Sequence, residues 1–238
     1  DGVTDTVDFA FELFVEAEVT LGFEDWIRLI DQEILPPDVV HTATWDGLDP
    51  AQNPVPDGAY SFALDAYDPI LEEESDFATV IVDRTPPDVV ISSPQDGTPT
   101  SLPVTVSGFT DDLHADNHAV VLHQPDGSQV ELSSGPGDWP AGSSFTLRDL
   151  PDGDYTVIVT ATDLARNTST LEHAFVVDDT APSVQITTPA AGEVLDPESQ
   201  PFVLRGAIAA AHPQSYSWWI AELASPATAD FVLIHDDA

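Results

Sequence analysis

The chain has 238 residues, 43 of them acidic against 5 arginines and no lysine, for a formal net charge of −38. A surface this negative repels nucleic acid and anionic membranes, so no nucleic-acid partner and no direct membrane insertion are expected. A hydrophobic content of 42% is enough for real cores and separates the chain from a disordered acidic tail, while the absence of cysteine excludes a disulfide-stapled secreted miniprotein.

The acidity has two readings. A solvated acidic coat keeps a protein soluble in high salt, where screening within ~3 Å at 1 M removes self-repulsion. Alternatively the carboxylates hold divalent cations. The missing lysines favour a saline, halophilic setting, because specific cation sites do not require removing every lysine. Twenty-one prolines and 13 glycines, with no long stretch of helical periodicity, predict an all-β protein of short strands and turns. The chain begins at Asp1 without an initiator methionine, a signal peptide or an apolar spanning run, which reads as a processed mature protein or a segment of a longer one.

In chain order, residues 1–31 predict two or three strands. Helix is the alternative for 9–21, since Glu, Ala and Leu form helices well, but Phe and Val and the surrounding pattern favour strand. Next comes His41-Thr-Ala-Thr-Trp-Asp-Gly47, then Pro56-Asp-Gly-Ala-Tyr60 leading an alternating strand to Asp68. Pro56-Asp-Gly58 is a tight turn, Pro setting φ at the first corner and Gly supplying the special dihedral. The same unit returns as Pro151-Asp-Gly-Asp-Tyr155 with a strand to Asp163, exactly one offset of 95 later; that offset also carries Asp83 onto Asp178, Thr85 onto Thr180, Pro87 onto Pro182, Ile91 onto Ile186, Pro94 onto Pro189 and Gly97 onto Gly192. An ungapped repeat of this length has the size of an immunoglobulin-like sandwich. Tandem immunoglobulin-like β-sandwiches are therefore expected, divided as residues 1–84, 85–179 and a partial domain at 180–238. The tyrosines Tyr60 and Tyr155 are expected to fix the turns onto the cores.

Trp45-Asp-Gly47, a short polar loop, Asn53-Pro-Val-Pro-Asp-Gly58 and Tyr60 with its strand resemble the Ig-like domain of flagellar hook-capping proteins, over residues 9–83. The module is reused as a spacer, so the resemblance implies a module type and not a flagellar role. The junctions Asp83-Arg-Thr-Pro-Pro87 and Asp178-Asp-Thr-Ala-Pro182 resemble the joints between tandem bacterial and archaeal Ig-like domains of surface proteins. A proline-stiffened link this short restricts bending between neighbours.

Within 85–179, strands are predicted at 88–92, 102–109, 117–123, 128–132, 143–148, 154–162 and 171–178, with Gln124-Pro-Asp-Gly-Ser128 as a hairpin turn. After Thr180, Pro201-Phe-Val-Leu-Arg-Gly206 matches Pro103-Val-Thr-Val-Ser-Gly108, while the final stretch through Asp230-Phe-Val-Leu-Ile-His-Asp236 matches the region of Asp25-Trp-Ile-Arg-Leu-Ile-Asp31. The third domain is thus about half present. It reads as a window on a longer array, as an unfinished sandwich completed by a strand from another copy, or as a self-contained truncated domain.

Candidate ligands are all oxygen donors. Asp163, Asn167, Asp178 and Asp179, with Asp68 and Asp83 at the preceding junction, could hold a junctional Ca²⁺; the alternative is that Asp163 and Asn167 close a turn by side-chain to backbone bonds. The loop Asp111, Asp112, Asp116, Asn117 offers a second oxygen cluster, with a spacing that fits no EF-hand. Catalysis is not expected: the seven His are scattered, and no nucleophile, zinc or phosphate-loop motif is present. Of Trp218 and Trp219, adjacent on a strand, one should face inward and one outward. Asn167-Thr-Ser169 is a formal N-glycosylation acceptor. The expected role is a non-catalytic structural or adhesive one, extracellular or at the cell surface. Its partners would be neighbouring Ig-like domains, other copies of itself, or a surface glycan or protein. The alternative is an accessory spacer or carbohydrate-binding module of a large secreted enzyme.

Overall fold

A computed structural model describes residues 6–24, 26–70, 72–194, 203–220 and 232–237. Every regular element among them is a strand. Strands β1 (Val7–Glu12), β2 (Ala17–Phe23), β3 (Ile27–Leu35), β4 (Val40–Trp45), β5 (Gly58–Asp68) and β6 (Glu72–Val82) form a β1-β4 ladder and a four-stranded antiparallel sheet ordered β3-β2-β5-β6. The helix alternative for 9–21 fails for a visible reason. Phe9 and Phe11 alternate with exposed residues, as do buried Ala17, Val19 and Leu21, so period two and not 3.6 gathers the apolar groups. Between the two sheets lies a core of Val19, Leu21, Ile27, Trp45, Val55, Tyr60 and Phe62, with Phe9 and Phe11 packed against it.

Strands β7 (Asp88–Ser93), β8 (Pro99–Thr100), β9 (Val104–Asp111), β10 (Ala115–His123), β11 (Gln129–Pro136), β12 (Ser144–Leu147), β13 (Gly153–Asp163) and β14 (Thr168–Val177) build the second sandwich. Its sheets run β11-β10-β13-β14-β8 and β12-β9-β7. The seven predicted strands are present, and β8 is an addition: two residues pairing in parallel with Val176 and Val177, too short to show any alternation in sequence. Val104, Val106, Val120, Leu122, Trp139, Tyr155, Val157, Val159, Phe175 and Val177 fill the core. Trp45 and Trp139 are both sandwich-packing residues, at 3% and 1% exposure. His118, within the strand predicted at 117–123, lies buried in β10, where it donates Nδ1–H to the Gly137 carbonyl at 2.8 Å and faces Ser133 Oγ with Nε2 at 3.0 Å.

The next strands are β15 (Ser183–Thr188), β16 (Arg205–Ala209), β17 (Tyr216–Ile220) and β18 (Val232–Asp237), paired β15-β16 and β17-β18. Their start repeats the second sandwich residue for residue. Ile91 faces Gly108 across β7-β9, and Ile186 faces Gly206 across β15-β16. A Cβ on Gly108 would lie 2.7 Å from the Trp139 ring, and one on Gly206 would lie 2.8 Å from that of Trp218, so both glycines are seats for an indole. Trp219 points outward at 54% exposure while Trp218 rests on Gly206. Asp25, Pro201, Phe202, Asp230 and Phe231, which carry parts of the predicted matches, lie outside the described residues.

Candidate functional site

The chemistry-bearing residues gather where one sandwich hands over to the next. The Pro-Asp-Gly turns at 56–58 and 151–153 each begin a long strand, and the tyrosine two residues past the glycine reaches back. Tyr60 donates to the Pro56 carbonyl at 2.7 Å and Tyr155 to the Pro151 carbonyl at 2.8 Å, clamping turn to core. The turn aspartates then hold the outgoing linker. Thr85 donates its hydroxyl to Asp57 at 2.7 Å, and Thr180 donates likewise to Asp152. These hydroxyls are the main cause holding the Asp57 and Asp152 carboxyls below their ordinary value of 3.8, helped at Asp57 by the Arg84 amide and guanidinium and at Asp152 by the Asp179 amide. The Tyr155 hydroxyl is pushed up, by burial first and then by the charges of Asp126 and Asp152.

On the far side of each linker a histidine from the following unit meets the junction aspartate. Asp83 Oδ1 accepts the Thr85 amide at 3.1 Å and its Oδ2 lies 2.7 Å from His114 Nδ1. At the second junction Asp178 Oδ1 accepts the Thr180 amide at 3.3 Å and its Oδ2 lies 2.8 Å from His212 Nδ1. An ionised carboxylate has no hydrogen to give, so Nδ1–H is the donor in both. The loop carrying His114 is fixed from the core outward. Thr110, 3% exposed, takes the Trp139 amide at 2.8 Å and donates to Asp138 at 2.9 Å; Asp138 accepts the Asp112 amide at 3.3 Å; Asp112 accepts the His114 amide at 2.7 Å.

Strand direction divides the six predicted ligands. Asn167 and Asp178 flank β14 at opposite ends, about 36 Å apart at the rise of a strand. Asp163 and Asn167 therefore belong with the first junction and Asp178 and Asp179 with the second, so the four do not share one site. Likewise Asp68 and Asp83 lie at opposite ends of β6. Asn167 joins two groups at once: Nδ2 donates to Asp163 Oδ2 at 2.7 Å and to the Asp83 carbonyl at 3.1 Å, while its amide meets Asp163 Oδ1 at 2.8 Å. Asp163, fully buried, thus closes its turn on Asn167. Both Nδ2 hydrogens are engaged, so the formal glycosylation acceptor is committed to the fold. Asp179 Oδ1 accepts the Leu102 amide at 3.2 Å, and Asp68 Oδ1 accepts that of Ile70 at 2.7 Å.

Among the described residues, Asp83, Asp112 and His114 are the set whose donor atoms all lie within 4.8 Å of one another. Of the loop oxygens, Asp112 enters this set, whereas Asp116 accepts from Asn117 at 3.0 Å. The sequence reading missed His114, His212, Asp57 and Asp152. Asp57 and Asp152 were findable from the offset of 95 that pairs them, and the histidines from the offset of 98 that carries Pro103 onto Pro201 and Gly108 onto Gly206.

Residues 141–196 match the bacterial Ig-like domain family, group 3. The matched segment contains Tyr155, Asp163, Asn167 and the second junction. Among solved structures, the chain is similar to a tetra-tandem repeat from the extending region of a large adhesion protein, at 20% identity and a TM-score of 0.37 over 98% of this chain and 60% of that one. The chain therefore spans less than two thirds of that structure's length. It is also similar to the FN1-FN3 domains of chicken CNTN1, at 13% identity and a TM-score of 0.33 over 95% and 80% of the two chains. A third similarity is to dimeric latent PorU from Porphyromonas gingivalis, at 14% and 0.31, over 75% and 20%. No curated protein matches the sequence.

Proposed function

We propose that this chain is a non-catalytic segment of an extracellular or cell-surface protein, built of Ig-like modules in series that hold other parts at a distance, with an adhesive or scaffolding outcome. The observation that carries the reading is the repeated junction. Asp57–Thr85 and Asp152–Thr180 tie each linker to the module it leaves, and Asp83–His114 and Asp178–His212 tie it to the one it enters. Linkers bonded on both sides resist bending, which is the property a spacer needs. The partners of each unit are then neighbouring Ig-like modules, and the division at 1–84, 85–179 and 180–238 follows the linkers. The likeness of residues 9–83 to hook-capping proteins is taken as one of module type.

A junctional Ca²⁺ belongs to this proposal as a stabiliser. It would have to displace His114 from Asp83, or His212 from Asp178. A second reading is assembly by strand completion from another copy. Val184 at 73% and Ile186 at 58% exposure on β15 favour it, because an uncovered apolar face gains by being covered.

Small-angle and light scattering in molar NaCl, with Ca²⁺ and with chelator, test these readings. An elongated monomer supports the spacer; stable polymers replace it with strand-completed assembly. A compact or freely jointed particle overturns both. A thermal midpoint unchanged by Ca²⁺ removes the ion from the proposal.

A further inference from the structure

We infer that the histidine six residues beyond the indole-seating glycine is a coupling latch, by which each sandwich recognises the linker aspartate of the module before it and fixes the twist between the two. This rests on the reading of the chain as modules in series and names the residues that would set their geometry.

The equivalence of the two latches comes from strand register. Ile91–Gly108 and Ile186–Gly206 are corresponding cross-strand pairs, each ladder is irregular just after its isoleucine, and His114 and His212 each follow their glycine by six residues. From independent stretches of chain, the two imidazoles arrive at the same oxygen, Oδ2, of Asp83 and Asp178. Each aspartate is spent in the same way on its other oxygen, by the amide of the threonine two residues on. A carboxylate held at both oxygens, one bond from its own linker and one from the next unit, cannot rotate freely without losing one of them. That converts a link into a set angle.

The junctions differ in support. Asp112, which fixes the His114 amide, has Ala210 at its counterpart by the offset of 98. Asn167 adds a second tie to the Asp83 carbonyl. The His212 side chain is correspondingly more open, at 42% against 26% for His114. The first junction is therefore the stiffer of the two.

Asparagine can place its Nδ2 where histidine has Nδ1, glutamine cannot, and leucine has no donor. The experiment records residual dipolar couplings at one pH for the first two sandwiches of the whole chain, as wild type, His114→Asn, His114→Gln and His114→Leu. Amide shifts in the two cores report that each sandwich stays folded. The latch predicts one alignment tensor in wild type and His114→Asn, and loss of the common tensor in His114→Gln and His114→Leu. A shared tensor in all four overturns the latch while leaving the stiff array intact. Separate tensors already in wild type overturn the array reading and the latch with it. His212→Leu, read by the couplings of β15 and β16, should repeat the loss at the second junction.

Discussion

The Thr85 hydroxyl donates to the Asp57 carboxylate at 2.7 Å across 28 residues of sequence, and Thr180 makes the same bond to Asp152 one repeat later. Because these bonds favour the charged carboxylate, each aspartate titrates below its ordinary value of 3.8 in the folded chain. A depressed folded value means the bond stabilises the fold above the unfolded value and loses that contribution as pH falls through the folded one. Carbon-detected NMR titration should place both midpoints below 3.8, and Thr85→Val should return Asp57 towards it while leaving Asp152 alone. An unmoved Asp57 midpoint would show that Thr85 is not the cause.

Tyr155→Phe should cost about 0.5–1.5 kcal/mol in urea unfolding, since the ring and its stacking on Phe175 at 5.4 Å remain while the bond to Pro151 is lost. Tyr60→Phe should cost a similar amount through Pro56. A neutral result at both would mean that the turns hold without the tyrosines.

Gly108→Ala would set a methyl 2.1 Å from the Val90 carbonyl oxygen and 2.7 Å from Trp139. The β7-β9 ladder must then open, at a cost of ~1–3 kcal/mol or more. Gly206→Ala meets the Gln185 oxygen at 2.8 Å and should cost less. Calorimetric midpoints of the two variants check the order.

Asn167→Leu strips Oδ2 of the buried Asp163 and the Asp83 carbonyl of their Nδ2 donor, while the Asn167 backbone amide stays on Asp163 Oδ1. Unfolding of the second sandwich should ease by about 1–3 kcal/mol, the penalty of a buried polar group left without its partner. The comparable exposed loop, where Asn53 Nδ2 donates to Asp49 Oδ1 at 3.4 Å and Oδ2 at 3.3 Å, should show a smaller loss on Asn53→Leu because water replaces the donor.

With 43 acidic residues and 5 arginines, self-repulsion should dominate at low ionic strength. The thermal midpoint should rise steadily from about 0.1 M to 1 M NaCl as the screening length drops from about 10 Å to about 3 Å. A midpoint independent of salt would remove the argument for a saline setting.

Much of the fold was legible because strands write a local period. Val157, Val159 and Ala161 alternate with half-exposed residues, and Pro-Asp-Gly marks where the alternation starts, so β5 and β13 could be read directly. The helix-prone composition of 9–21 did not displace the strand reading drawn from its Phe and Val, and packing against a facing sheet outweighs a few tenths of a kcal/mol per residue. Strand β8 could not be read, for two residues carry no period. The candidate site was legible only in part: the aspartates of the junctions stood out as repeats, but grouping Asp163 with Asp178 by nearness in sequence ignored that β14 carries them to opposite poles.

By itself the sequence determined the all-β composition, the repeat of 95 and the turns, because each is a property of neighbouring residues along the chain. Tertiary structure alone decided that Asp83 meets His114, 31 residues away, and that Asp178 meets His212, 34 away. Those pairings depend on how a whole sandwich folds back on the linker that precedes it, and no local pattern encodes a distance closed across a core.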